Sequence, residues 1–132
     1  MKAQELLIGD FVFSKGKDIH TVQGLDEDEN GRWWYYSPEH QAWCAVDEAQ
    51  PIPLTPEILE KNGFEKNSAN YYRIVINKKL AGDGFEMQEI SVSEKNLLLI
   101  FTSTCDVRIN IKHVHELQHV LRLCGIDKEI IL

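Results

Sequence analysis

The chain reads as an α+β protein: a small β-barrel over residues 1–50, then a β-rich lobe over residues 51–132 with helices near 55–62 and 112–124. Three observations point there. Short strand-like runs recur about every ten residues through the first part, with turn residues between them, as in a small barrel. The stiff connector Pro51-Ile52-Pro53-Leu54 then separates the two parts. Beyond it, two segments take up helical periodicity while the stretches between them stay strand-like.

The elements follow in order. Residues 6–14 open as a strand broken by a Gly9-Asp10 turn, and Ile19 to Val22 alternates as a strand after a turn at Lys15-Gly16-Lys17. Asn30-Gly31 is a two-residue hairpin signal, followed by strands at Arg32 to Tyr36 and Ala42 to Val46. Thr55 caps the first helix, Pro56 fits its first position, and Glu57 suits its dipole. Gly63 closes that helix after Asn62, with Ile58, Leu59 and Phe64 available to dock it. Residues 71–77, 85–92 and 97–102 read as strands, with Gly82-Asp83-Gly84 turning between the first two. Arg108 to Ile111 is a short extended stretch. Val114, Leu117, Leu121 and Cys124 then recur at steps of three and four, and Gly125 is the expected C-cap. The apolar tail Glu129 to Leu132 is expected to pair at a sheet edge.

Composition narrows the function classes. A chain of 132 residues is one domain or two very small ones, and it can bury a real core without staples. No apolar run approaches the ~20 residues of a membrane span. The start lacks the basic-then-apolar pattern of a signal peptide. Cys44, Cys105 and Cys124 are an odd number without metal-ligand spacing, and read as reduced, packed thiols of a cytoplasmic protein. Residues 1–50 hold ten acids against four bases, a net of -6 out of the chain's -7. That acidity speaks against a nucleic-acid partner. No Gly-rich phosphate loop implies a cofactor, and Ser91 and Ser93 lack a nucleophile elbow. His20 and His40 read as isolated.

One motif names a chemistry. His115-Glu116-Leu117-Gln118-His119 spells H-E-x-x-H, in which two imidazoles on one helix face bind zinc and the glutamate activates a bound water. A zinc-dependent hydrolase using His115, His119 and Glu116 is therefore the alternative reading. Against it, a catalytic zinc needs a third protein ligand, and no histidine follows His119. On a wheel of about 100° per residue, the apolar residues gather on one side and the two histidines fall beside Gln118 and Arg122. They are expected on a solvated face, without zinc.

Trp33-Trp34-Tyr35-Tyr36 with Trp43 carries the preferred reading. Strand alternation puts Trp33 and Tyr35 on one face and Trp34 and Tyr36 on the other. A small barrel encloses one face; the other is covered by the second lobe or serves as a binding platform. The two pairs are therefore expected to differ in burial. Such a surface suits a peptide, an aromatic ligand or a cation. Asp26 to Gly31 matches the first half of an EF-hand loop, but its twelfth position is Ser37, so it reads as an acidic hairpin tip.

Several segments together carry a resemblance: Leu7-Ile8-Gly9-Asp10-Phe11-Val12, Pro51-Ile52-Pro53-Leu54-Thr55, Ile58-Leu59-Glu60-Lys61-Asn62-Gly63-Phe64 and Val114-His115-Glu116-Leu117-Gln118. They resemble a group of short proteins encoded in phages and mobile elements of gut bacteria, a group with no assigned activity. That resemblance implies Asn at the position of His119, and hence a second zinc ligand particular to this chain. The Ile8-Gly9-Asp10-Phe11-Val12 opening also looks like the first strand of an SH3-like barrel. The reading that results is a non-enzymatic binding or adaptor module with a protein or peptide partner. Trp33, Trp34, Tyr35, Tyr36 and Trp43 are its candidate contacts.

Overall fold

The structure is a computed structural model that describes residues 1–79, 81–82 and 84–132, apart from the side chain of Lys78. It is a mixed α and β protein, with eleven strands and two α-helices among the described residues. The chain divides into two compact units. One comprises Met1–Pro53 and His113–His119; the other comprises Leu54–Lys112 and Val120–Leu132.

In the first unit, β1 (Phe11–Phe13) lies between β2 (Ile19–Thr21) and β6 (Gln50–Pro51). A second antiparallel sheet runs in the order β3 (Gly24–Glu27), β4 (Trp33–Ser37), β5 (Ala42–Ala45). Leu6, Val12, Val22, Tyr35, Val46 and Ala49 form its buried core. The expected barrel is not closed among the described residues: the six strands stay in two separate sheets. The chain changes sheets at two residues. Val22 N–H donates back to Asp10 O at 2.8 Å, and Gln23 N–H donates across to Tyr36 O at 2.9 Å. Splitting these bonds between two partners ends one ladder and starts the other.

The Asn30-Gly31 hairpin also differs from a two-residue turn. Asp28 N–H donates to Arg32 O at 2.9 Å, so Glu29, Asn30 and Gly31 form a three-residue loop. Gly31 takes the left-handed position, with φ of 79°. Asp28 accepts the N–H groups of Asn30 and Arg32, which fixes the tip.

The second unit is built on a five-stranded antiparallel sheet. Its order is β11 (Asp106–Asn110), β10 (Leu97–Phe101), β9 (Phe85–Ser93), β8 (Tyr71–Lys79), β7 (Glu65–Lys66). Ile90, Val92, Leu98 and Ile100 are its buried face. β7 is two exposed charged residues, too short to show a period in sequence. The Gly82-Asp83-Gly84 turn involves Asp83, which lies outside the described residues. α1 (Pro56–Lys61) is capped by Thr55, whose Oγ1 accepts the Ile58 N–H at 3.3 Å. α2 (Val114–Leu123) is longer, and places its first turns in the first unit. Both helices end on a left-handed glycine, Gly63 and Gly125, with Phe64 N–H donating to Leu59 O and Ile126 N–H to Leu121 O.

Two further expectations are corrected. The C-terminal tail adds no strand. Its Ile131 pairs instead with the Asn62 carboxamide, which accepts the Ile131 N–H at 2.7 Å and donates to Ile131 O at 2.8 Å. One side chain thus offers the donor and acceptor that a strand edge would. The cysteines are not three thiols either. Cys105 and Cys124 form a disulfide with Cα atoms 5.7 Å apart, and Cys44 is free. Chain folding joins residues 19 apart in sequence, which spacing alone does not reveal. No helix of the described residues is long and apolar enough to cross a membrane.

Candidate functional site

The histidine motif opens α2, beside the turn that leads into β1. Val114 N–H donates to Ile52 O at 2.9 Å, which anchors the helix start. Gln118 faces the backbone of the turn: its Nε2 donates to Gly9 O and its Oε1 accepts the Phe11 N–H, both at 3.0 Å. Between those two residues stands Asp10, fully buried. Its Oδ2 accepts the Leu7 N–H at 2.8 Å and lies 2.6 Å from His119 Nε2. A buried carboxyl needs such donors to offset its lost hydration.

This overturns the solvated face expected for the histidines. His115 is 6% exposed and Gln118 is buried, while His119 is partly covered. The apolar side of the wheel is buried as expected, but so is the side bearing His115, Gln118 and His119. Hydropathy marks only the first kind of burial; a polar side chain that pairs with backbone is buried just as well.

The geometry also spends the motif's groups on one another. Glu116 Oε1 lies 2.7 Å from His113 Nδ1, so the would-be base is tied within its own helix turn. His119 Nε2 is held by Asp10. The His115 ring stands edge-on to His119 with centroids 5.4 Å apart, and its Nδ1 is buried without a hydrogen-bond partner. No three His, Cys, Asp or Glu of the described residues are arranged to hold a metal ion. Elemental analysis of protein purified without a histidine tag is expected to find zinc well below one ion per chain. Tetrahedral zinc on His115 and His119 at ~2.1 Å would reverse this assignment.

Burial lowers the pKa of His115 from the usual 6.5, and desolvation with the neighbouring His40 does the same to His20. The folded state therefore binds fewer protons than the unfolded chain just below pH 6.5. Stability is expected to be lost as pH falls through that value toward the lower folded pKa values, and to be flat above it. Melting temperatures between pH 7.5 and 5.5 test this, and His115→Gln should flatten the slope.

His20 and His40 are not isolated, contrary to the sequence reading. Their rings lie 4.4 Å apart. His20 Nδ1 meets the Tyr35 hydroxyl at 2.9 Å, with Cys44 Sγ at 3.8 Å. Burial, then Cys44, pushes the Tyr35 hydroxyl pKa up. Tyr35 is 1% exposed and belongs to the core, so it leaves the set of candidate contacts.

The remaining rings divide by position. Trp33 shares a strand face with Tyr35, yet it is exposed while Tyr35 is buried. The simple alternation of burial fails because Trp33 pairs with Glu27 at the end of the ladder, beyond the core that Tyr35 reaches. Trp34 and Tyr36 are both half-buried on the opposite face. There Tyr36 pairs with Trp43 on one side and Gly24 on the other, and Trp34 pairs with Asp26. Trp43, 50% exposed, meets Tyr36 edge-on at 5.5 Å and lies over Gly24, where a β-carbon would stand 3.4 Å from its Cη2. Trp34 donates its indole N–H to Asp28 Oδ2 at 3.0 Å and carries the Arg32 guanidinium 4.8 Å from its ring centre. The indole N–H, followed by the Arg32 backbone, holds the Asp28 carboxyl below its usual range. Asp26, Glu27, Asp28, Trp34 and Trp43 line a pocket of about 200 Å³.

The second unit carries an apolar surface that sequence reasoning missed. Val75, Phe85, Met87 and Phe101 are exposed. Register places all four on the same side of the sheet, around the Arg73–Glu89 ion pair. The signal was available, since these strands carry apolar residues at both odd and even positions. No protein-family model, curated protein or solved structure gives a match to this chain.

Proposed function

We propose that the protein is a non-enzymatic binding or adaptor module whose contact face is the outer side of the β3-β4-β5 sheet. The observation that carries this is the grouping of Trp34, Tyr36 and Trp43 on one face, beside a pocket and clear of the core. Rigid, half-exposed rings are suited to anchoring a partner, because they bury large area at little entropic cost. The partner in this reading is a protein or peptide. The two sheets of the first unit are taken as an opened SH3-like arrangement, and the protein as one carried by a phage or mobile element; the Cys105–Cys124 disulfide weighs against the cytoplasmic setting that three free thiols implied. A hydrolase reading finds less support, since Glu116 and His119 are already engaged.

Selection from a random peptide library tests the reading. Peptides retained by the protein are expected to be lost with Trp43→Ala, a change at a half-exposed ring that leaves the fold in place. Retention that survives this substitution, or no enrichment at all, would remove the sheet face as the contact site.

A further inference from the structure

Resting on that reading, we infer that the pocket between Trp34 and Trp43 receives the cationic side chain of a lysine or arginine carried by a basic peptide. Size comes first. The pocket holds about 200 Å³, below the ~300–1,000 Å³ typical of small-molecule and cofactor sites. It fits one long side chain. Its walls come next. Two of the lining residues are tryptophans, a side chain whose π-system attracts an ammonium or guanidinium. Trp34 already accepts one such group, the Arg32 guanidinium at 4.8 Å.

Charge decides the class. Arg32 and Lys15 are paired with Asp47 and Glu48, which balances the acids on that side. Asp26, which pairs with Trp34 and shares its face, forms no ion pair among the described residues. Its carboxylate, with that of Asp28, gives the indole face a negative charge, which is complementary to a positive side chain and opposed to an acidic one. A hard metal ion suits the pocket less. Calcium takes six to eight oxygens, whereas both Asp28 oxygens are occupied by N–H donors and two walls are indole.

The test is an NMR titration of the full ¹⁵N-labelled chain, read at the indole N–H signals of Trp34 and Trp43. The probes are Nα-acetyl-lysine N-methylamide, its arginine counterpart, and the neutral norleucine counterpart. Both cationic probes are expected to shift the two indoles along saturating curves, and norleucine is expected to leave them in place. Added salt should weaken the effect. The exposed change Asp26→Asn, which keeps the oxygen that accepts the Glu27 N–H, should weaken lysine binding at least about fivefold. Equal shifts with norleucine, no shift with lysine, or lysine binding unaffected by Asp26→Asn would each overturn the inference. So would calcium chloride moving the same signals while lysine does not. The peptide selection separates this from the broader reading. Peptides that need Trp43 but lack Lys and Arg sink the cation pocket and leave the contact face standing.

Discussion

Leu117→Ala is expected to destabilise the protein by roughly 2–5 kcal/mol, the range for deleting a buried leucine side chain when the surroundings collapse only partly. Leu117 is 1% exposed on a helix whose neighbouring faces are also buried. Leu123, six residues further along, is 85% exposed, and Leu123→Ala should change stability by no more than about 0.5 kcal/mol. Urea unfolding of the two variants gives a direct comparison within one helix. Similar losses for both would mean that the buried side of α2 has been misassigned. His119→Asn, which a solvated histidine would tolerate freely, now removes an imidazole held at 2.6 Å by the buried Asp10. An asparagine can still offer a donor there, so the cost is set by how well its shorter side chain reaches.

Opening the Cys105–Cys124 disulfide is expected to cost about 3 kcal/mol. The bond closes a loop between residues 19 apart, and restricting such a loop in the unfolded chain is worth this much in the loop-entropy account. Denaturation midpoints with and without dithiothreitol measure it. The double variant Cys105→Ser with Cys124→Ser should match the reduced protein, while Cys44→Ser should not respond to reductant differently from the parent. Unchanged midpoints on reduction would show that the bond contributes nothing to stability.

Legibility in the sequence tracked the range of the interactions involved. Thr55-Pro56 and Gly63 bracket α1 because capping is chemistry among near neighbours. The strands at 71–79, 85–93 and 97–101 emerge from apolar runs between turn residues, as does the helix that Gly125 ends. What escaped depends on distant partners. Gln118 lies 107 residues from Phe11, and His119 lies 109 from Asp10, so nothing local marks them as buried. The disulfide escaped because an odd cysteine count says nothing of which two approach. Among the rings, the sheet face of Trp34 and Tyr36 followed from alternation. The burial of Tyr35 beside His20, and the exposure of Trp33, turn on where the ladder meets the core.

The Asn62 carboxamide that holds the tail also governs how this protein ages. Asn-Gly bonds are chemically fragile, since the glycine nitrogen can attack the asparagine side chain, close a succinimide and release ammonia. The chain has two, Asn30-Gly31 and Asn62-Gly63. Asn30 sits exposed at the hairpin tip, open to that reaction. Asn62 is clamped: its nitrogen donates to Ile58 O and Ile131 O, its oxygen accepts from Ile131, and the Gly63 N–H is directed at Glu60 O. The carbonyl carbon is thereby kept from its attacker for as long as the chain stays folded. Stored protein should deamidate first at the tip, which alters only the surface. Damage at Asn62 would report molecules that had already unfolded, and the aspartate left there could no longer donate to Ile131, so those molecules would lose the tail when they refold.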